Sequence, residues 1–210
     1  MKLRKLLNIE LGRISAEEYK ASPDIGMIVI LDNIRSAHNV GSAFRTCDSF
    51  KADKLWLCGI CATPPSAEIR KTALGAEESV PWEYSGSTLD VVNKLKSEGY
   101  TVVSVEQTVN SVSLENFNPS TCSGTAPSTS SGTAPSTGSG TGKYAFIFGN
   151  EVDGVSQEVV DASDFSLEIP QFGTKHSLNV SVAIGVVLWQ FTLGRLSPQA
   201  IGGTPHTGNG

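Results

Sequence analysis

Cysteine is scarce in this chain: Cys47, Cys58, Cys61 and Cys122 are the only four among 210 residues. They are too few and too scattered for a disulfide framework. Cys58 and Cys61 form a C-x-x-C spacing, but no second ligand pair follows at the spacing zinc needs. Both close an apolar stretch, 55–60, that has the pattern of a strand, so they are read as ordinary buried or strand-end thiols. Basic charge is also short. Sixteen Lys and Arg stand against 21 Asp and Glu, a formal net charge of -5. That excludes a protein that coats nucleic acid by bulk charge and leaves a local basic patch as the alternative. Long apolar runs are missing. The most apolar stretch, 180–193, falls short of the ~20 residues a membrane span requires. Asn8, Glu10 and Arg13 interrupt the N-terminal apolar run too early for a signal peptide. The expectation is a soluble, cytoplasmic protein without a membrane partner.

The hydrophobic fraction, 39%, is low because one segment is biased. Residues 120–142 carry SGTAPST twice, at 123–129 and 131–137, and then a Gly/Ser/Thr run. Such a composition cannot bury enough apolar surface to offset its ordering entropy, so a flexible surface insertion is expected. It ends in GSGTGK, which imitates a phosphate loop. The pattern would need Gly at Thr137 and Ser or Thr at Tyr144, so the likeness fails. The remaining length suits one domain, 23–196, preceded by a helical extension, 1–22, and followed by a disordered tail, 197–210.

Apolar spacing predicts a helix over 3–11 and a second short one with Ser15 and Glu18 as a capping box. From residue 27 strand and helix alternate. Strands are expected at 27–31, 54–58, 101–105, 144–148 and 165–169. Helices are expected at 39–50, 67–74, 88–96, 157–162 and 177–195. The alternation predicts an α/β fold, a mostly parallel sheet with helices on both faces.

Three strand ends are richer in polar residues and glycine than folding alone requires. LDNIRSAHNVGSAFRTCDSF (31–50) runs from a strand into a helix, placing Asn39 at the helix start and Gly41 where a partner can approach the backbone. FGNEVDGVS (148–156) ends a strand in Gly149, Asn150, Glu151 and Asp153, with Ser156 as an N-cap. IPQFGTKHSLNVSVAIGVVLWQ (169–190) ends a strand at Ile169-Pro170, and Ser177 and Asn179 are expected in the first turn of the next helix. In a parallel sheet, ligands bind outside the carboxyl ends of the strands, so the three segments can share one cleft. Taken singly, each has a plain structural reading as a cap, a loop carboxylate or a surface charge.

In order, wording and placement, NVGSAFRT, GNEVDGVS and IPQFGTKHSLNVSVA resemble the three motifs of the SpoU/TrmH branch of the SPOUT superfamily, RNA 2′-O-ribose methyltransferases. The resemblance covers roughly 25–195. VSVEQT at 103–108 and the Ile-Pro-Gln start of the third motif are most similar to the tRNA guanosine 2′-O-methyltransferases. Gln171 departs from the Met of many relatives.

The resemblance implies a C-terminal trefoil knot, an exception to the usual rule against knots. It also implies a homodimer that binds S-adenosylmethionine and acts on RNA, with tRNA favoured. Carried over by position, Arg45, Asn39, Glu151, Ser177 and Asn179 are the catalytic candidates. Phe148, Gly149, Asn150, Ile169, Pro170, Ser177 and Leu178 are the cofactor-binding candidates, and no metal is implied. Arg35, Arg45 and Lys175 are expected to meet RNA, with Lys2, Arg4 and Lys5 adding basic surface. His176 is read as helping to neutralise RNA rather than as the base. A guanidinium stays protonated, so Arg45 is expected to grip a phosphate. Ribosomal RNA as the target, or an RNA-binding protein of the same fold without turnover, are the alternatives.

Overall fold

A computed structural model describes residues 3–120 and 142–195. The low-complexity segment at 121–141, the residues from 196 on, the phosphate-loop look-alike before Gly142, and Lys2 lie outside the described residues.

In chain order the elements are α1 (Ala16–Ala21), β1 (Met27–Asp32), α2 (Ala37–Ser49), β2 (Lys54–Cys58), α3 (Ala67–Ala73), α4 (Ala76–Ser79), β3 (Trp82–Ser85) and α5 (Thr88–Ser97). There follow β4 (Tyr100–Val105), β5 (Val112–Ser113), β6 (Lys143–Gly149), α6 (Gln157–Ala162), β7 (Phe165–Glu168) and α7 (Val180–Arg195). The sheet has the order β3-β2-β1-β6-β4-β7-β5, and every pairing in it is parallel.

The strands are buried on both faces, which accounts for their nearly unbroken apolar runs. Side chains alternate along β1: Met27, Val29 and Leu31 pack with α2 and α7 residues such as Val40, Phe44, Ile184 and Phe191. Ile28 and Ile30 pack on the opposite side with Val91, Val92 and Leu95 of α5 and Val159 of α6. Helices therefore cover both faces. Phe117, Tyr144, Phe146 and Phe191 make edge-on contacts at centroid distances of 5.5–5.9 Å in the first of these layers.

Several boundaries differ from the sequence-based expectation. Only a 3-10 turn, Asn8–Leu11, forms in the predicted 3–11 helix. Leu3, Leu6, Leu7 and Leu11 are exposed, so no packed face supports a longer helix. The second short helix forms as expected, with Ser15 Oγ accepting the Glu18 N–H. Helix α2 opens at Ala37 under a Ser36 cap, which places Asn39 inside the first turn. Gly41 does admit a close approach, but of α3: a Cβ there would collide with Thr72 Oγ1 and the Ile69 carbonyl. The largest shift is at α7. It begins at Val180, capped by Asn179, whose Oδ1 accepts the Ser181 N–H at 2.9 Å. Ser177 is neither a cap nor helical.

Burial also settles the three described cysteines; Cys122 lies outside the described residues. Cys47, Cys58 and Cys61 are buried free thiols. Cys61 Sγ accepts the Ile34 N–H at 3.1 Å. Desolvation pushes Cys58 up to about 12 and Cys61 up to about 11, from an ordinary 9.0. Among the described residues no His, Cys, Asp and Glu cluster could hold a metal, and no helix is long and apolar enough to cross a membrane.

Candidate active site

Parallel pairing brings the carboxyl ends of β1, β6, β4 and β7 to one edge. Asp32 lies opposite Gly149, Phe148 opposite Val105, and Val105 opposite Leu167. Outside that edge is a cleft of about 510 Å³ lined by residues from the loops after β4, β6 and β7. Its size is that of a small-molecule site.

Of the predicted cofactor residues, Phe148, Gly149, Asn150, Ile169, Ser177 and Leu178 line this cleft. Pro170 directly follows Ile169, half-buried, but is not itself a wall residue. The loop after β6 folds tightly. Asn150 Oδ1 accepts the N–H groups of Val152 and Asp153 at 2.9 Å, and the Gly154 N–H bonds the Asn150 carbonyl at 3.0 Å. Gly149 is required there, because a Cβ would run into the backbone of Gly154 and Val155.

The polar candidates from all three segments meet at the mouth. Asn39 Nδ2 donates to Glu151 Oε1 at 2.5 Å, and Asn179 Nδ2 donates to Asn39 Oδ1 at 3.3 Å. Residues 112 and 140 positions apart are thus within hydrogen-bond reach. Ser177 lines the same cleft beside them.

The basic candidates do not join this cluster. Arg45 is exposed and faces a different cavity, shared with Arg13, Tyr19, Asp48, Lys51 and Leu74. Six residues along a helix rotate a side chain by about 240°, which carries Arg45 away from the Asn39 face. Arg35 and Lys175 are exposed and outside the cleft walls, whereas His176 is among them. Arg4 is engaged by Glu10 at 2.9 Å, so it is not a free basic surface group. In the Arg45 cavity, burial raises the Asp48 carboxyl above its usual range, opposed by Arg13.

Three contributors were missed by sequence reasoning. Asp32, buried at the end of β1, accepts the Ser156 N–H at 3.1 Å and the Thr88 hydroxyl at 2.5 Å, holding the far end of the β6 loop. Glu106 and Gln107 extend β4 into the cleft. The available signal was a polar residue at or just past the end of an apolar strand. Asp32 lies in the first segment singled out and Glu106 and Gln107 in VSVEQT, but sequence reasoning gives none of the three a role.

The cleft walls carry Glu106, Glu151, Asp153 and Glu168 and, among the described residues, neither Lys nor Arg. Val105, Phe148, Leu167, Ile169, Leu178 and Val180 supply apolar surface. That donor set fits a ligand with a cationic centre and a flat apolar part, and S-adenosylmethionine has both.

A parallel α/β sheet with a ligand-sized cleft at its carboxyl edge, closed by loops from three motif segments, defines the class of protein. The chain belongs to the SpoU rRNA Methylase family, whose model matches residues 26–189. It is 29% identical over 168 residues to a tRNA (guanosine(18)-2′-O)-methyltransferase of Mus musculus, covering 79% of this chain and 9% of the mouse protein. It is 29% identical over 170 residues to a tRNA (guanosine(18)-2′-O)-methyltransferase of Aquifex aeolicus, covering 78% and 67% of the two chains. The fold matches the crystal structure of an AdoMet-bound rRNA methyltransferase from Sinorhizobium meliloti. There the TM-score is 0.67 at 23% identity, over 85% of this chain and 61% of the other. The chain thus spans only a small part of the mouse protein and about two thirds of the bacterial ones.

Proposed function

We propose that this chain, a methylase by family, transfers a methyl group from S-adenosylmethionine to a ribose 2′-hydroxyl of tRNA, acting as a cytoplasmic homodimer with a knotted C-terminal segment. The observation that carries the reading is the Asn39–Glu151–Asn179 cluster at the mouth of the cleft. The tRNA-modifying relatives favour tRNA, and the family's description keeps rRNA as the second reading.

When bound, S-adenosylmethionine supplies a methyl carbon already activated by its sulfonium, so the protein's task is chiefly alignment. Phe148, Ile169 and Leu178 would hold the cofactor's apolar part, and the backbone at Gly149 and Asn150 its polar edge. Asn39, Ser177 and Asn179 offer neutral hydrogen bonds that orient a ribose hydroxyl without repelling cofactor or RNA. Glu151 fixes Asn39 and keeps the loop at the mouth.

Arg45 grips the phosphate next to the target ribose, where its planar fork suits bidentate contact. It remains protonated, so a phosphate oxygen or a second group takes the hydroxyl proton. Because Arg45 faces away from its own chain's cleft, it serves the cleft of the partner in the dimer. The solvent side of α7 supports such pairing: Val182, Val186 and Trp189 are exposed there, an apolar stripe that a lone chain would leave in water. Arg35 and Lys175 add phosphate contacts around the mouth.

The test offers labelled S-adenosylmethionine with unmodified tRNA transcripts and, separately, ribosomal RNA fragments. Label in the tRNA alone supports the reading, label in ribosomal RNA alone shifts the target, and label in neither overturns it.

A further inference from the structure

Strand β4 lies between β6 and β7, the two strands whose loops wall the cleft. Its last residue, Val105, pairs with Phe148 on one side and Leu167 on the other. The next two residues turn to opposite walls. Glu106 Oε2 accepts the Val155 N–H at 3.0 Å, and the β6 loop is drawn so close that a Cβ on Gly154 would collide with this carboxylate. The other oxygen of Glu106 accepts the Gln107 N–H at 2.9 Å, which fixes the orientation of the pair. Gln107 Nε2 reaches the other way and donates to the His176 carbonyl at 3.0 Å. The β7 loop's own Gln171 donates to the same carbonyl at 3.4 Å.

The two walls differ in how they are held. The β6 loop is bonded to itself through Asn150 and also to Asp32. Among the described residues, the 172–178 stretch has no hydrogen-bond partner besides Gln107 and Gln171. Among the described residues, Gln107 is thus the one hydrogen-bond link from that stretch to a residue outside its own loop.

We propose that Glu106 and Gln107 form a clasp that sets the separation of the two cleft walls, and with it the affinity for S-adenosylmethionine. The proposal rests on the methyltransferase reading. Both are positioning residues: they hold the loops that carry Glu151 on one side and Ser177 and Leu178 on the other. The chemistry gives each a distinct substitution pattern. Glu106→Gln keeps an oxygen that can accept the Val155 N–H, whereas Glu106→Ala does not. Gln107→Glu keeps the size of Gln107 but cannot donate to a carbonyl, so it should behave as Gln107→Ala.

The experiment measures S-adenosylmethionine binding by calorimetry and steady-state methylation for the wild type and these four variants. The expected result is a KM for the cofactor raised roughly fivefold or more in Glu106→Ala, Gln107→Ala and Gln107→Glu, the effect of losing about one hydrogen bond. In these variants kcat should fall less than KM rises, and Glu106→Gln should recover most of the loss. Amide hydrogen exchange at Val155 should quicken in Glu106→Ala and stay unchanged in Gln107→Ala. Gln107 is exposed, so its variants should fold even if Glu106→Ala does not. Wild-type KM in the Gln107 variants, or equal losses in Glu106→Gln and Glu106→Ala, overturns the clasp. A wild-type protein that fails to bind S-adenosylmethionine overturns the functional reading and the clasp with it.

Discussion

Asn39 donates to Glu151 and accepts from Asn179, so its removal cuts two links between motif segments at once. Asn39→Ala should lower kcat by more than about tenfold, roughly 1.4 kcal/mol of transition-state stabilisation. Asn39→Asp should not rescue it, because the aspartate loses the donor and faces the Glu151 carboxylate. Turnover in single-turnover assays at saturating cofactor checks both. The thiols give a second prediction. With native values above the ordinary 9.0, Cys58 and Cys61 bind more protons folded than unfolded. Their contribution to stability is fully present below about pH 9 and is lost as pH rises through 11 to 12. Alkylation at pH 8, mapped by peptide mass, should leave Cys47, Cys58 and Cys61 unlabelled until the protein unfolds. Labelling at the native rate of a free thiol would contradict their burial. Polar strand ends pointed to Asn39, Glu151, Ser177 and Asn179 as candidates, and the fold brings Asn39, Glu151 and Asn179 into contact and puts Ser177 on the cleft wall. Helical spacing also put Arg45 on another face of α2 from Asn39. It could not show which cavity that face meets, because that depends on which side of the helix packs against the sheet. Gly41 was legible as a close approach, but not as one made by α3.

Asn179 shows how an element and a site share one side chain. Its Oδ1 caps α7 through the Ser181 N–H, and its Nδ2 donates to Asn39. The two roles can be separated. Asn179→Asp keeps an oxygen for the cap and loses the donor, so thermal stability should hold while turnover falls. Asn179→Ala loses both and should cost about 1 kcal/mol of stability besides. Thermal melts run alongside activity assays check the pair, and a destabilised Asn179→Asp would contradict the capping role. Apolar runs made the buried strands legible: β1, β2, β4 and β6 sit within a residue or two of expectation. β3 was not, because its residues, Trp82 to Ser85, form a half-exposed edge with little apolar contrast. The start of α7 was misplaced by three residues because Ser177 and Asn179 are both good caps. Only the packing of Val180 against the sheet selects the second.

At the scale of the whole molecule, the fold places three chain-distant loops around one cleft and leaves Arg45 and an apolar α7 stripe facing outward. If Arg45 serves the partner's cleft, Arg45→Ala and Asn39→Ala should each be inactive alone. A refolded mixture should recover up to about a quarter of wild-type activity, because half the dimers are mixed and each has one intact site. No recovery would place Arg45 in its own chain's site or outside catalysis. Trp189→Glu should yield monomers in sedimentation runs and abolish turnover. The α/β class and the parallel sheet were legible from alternation alone, whereas the separation of Arg45 from the cleft required the packed structure. The central claim is that the methyl acceptor is a ribose hydroxyl. It is tested most directly by incubating the protein with S-adenosylmethionine and unmodified tRNA, digesting to nucleosides and locating the new methyl by mass spectrometry. The account predicts a single 2′-O-methylated nucleoside, identified by a methyl retained on the sugar fragment and absent with Asn39→Ala. A methyl on the base, or none with wild-type protein that binds the cofactor, would contradict it.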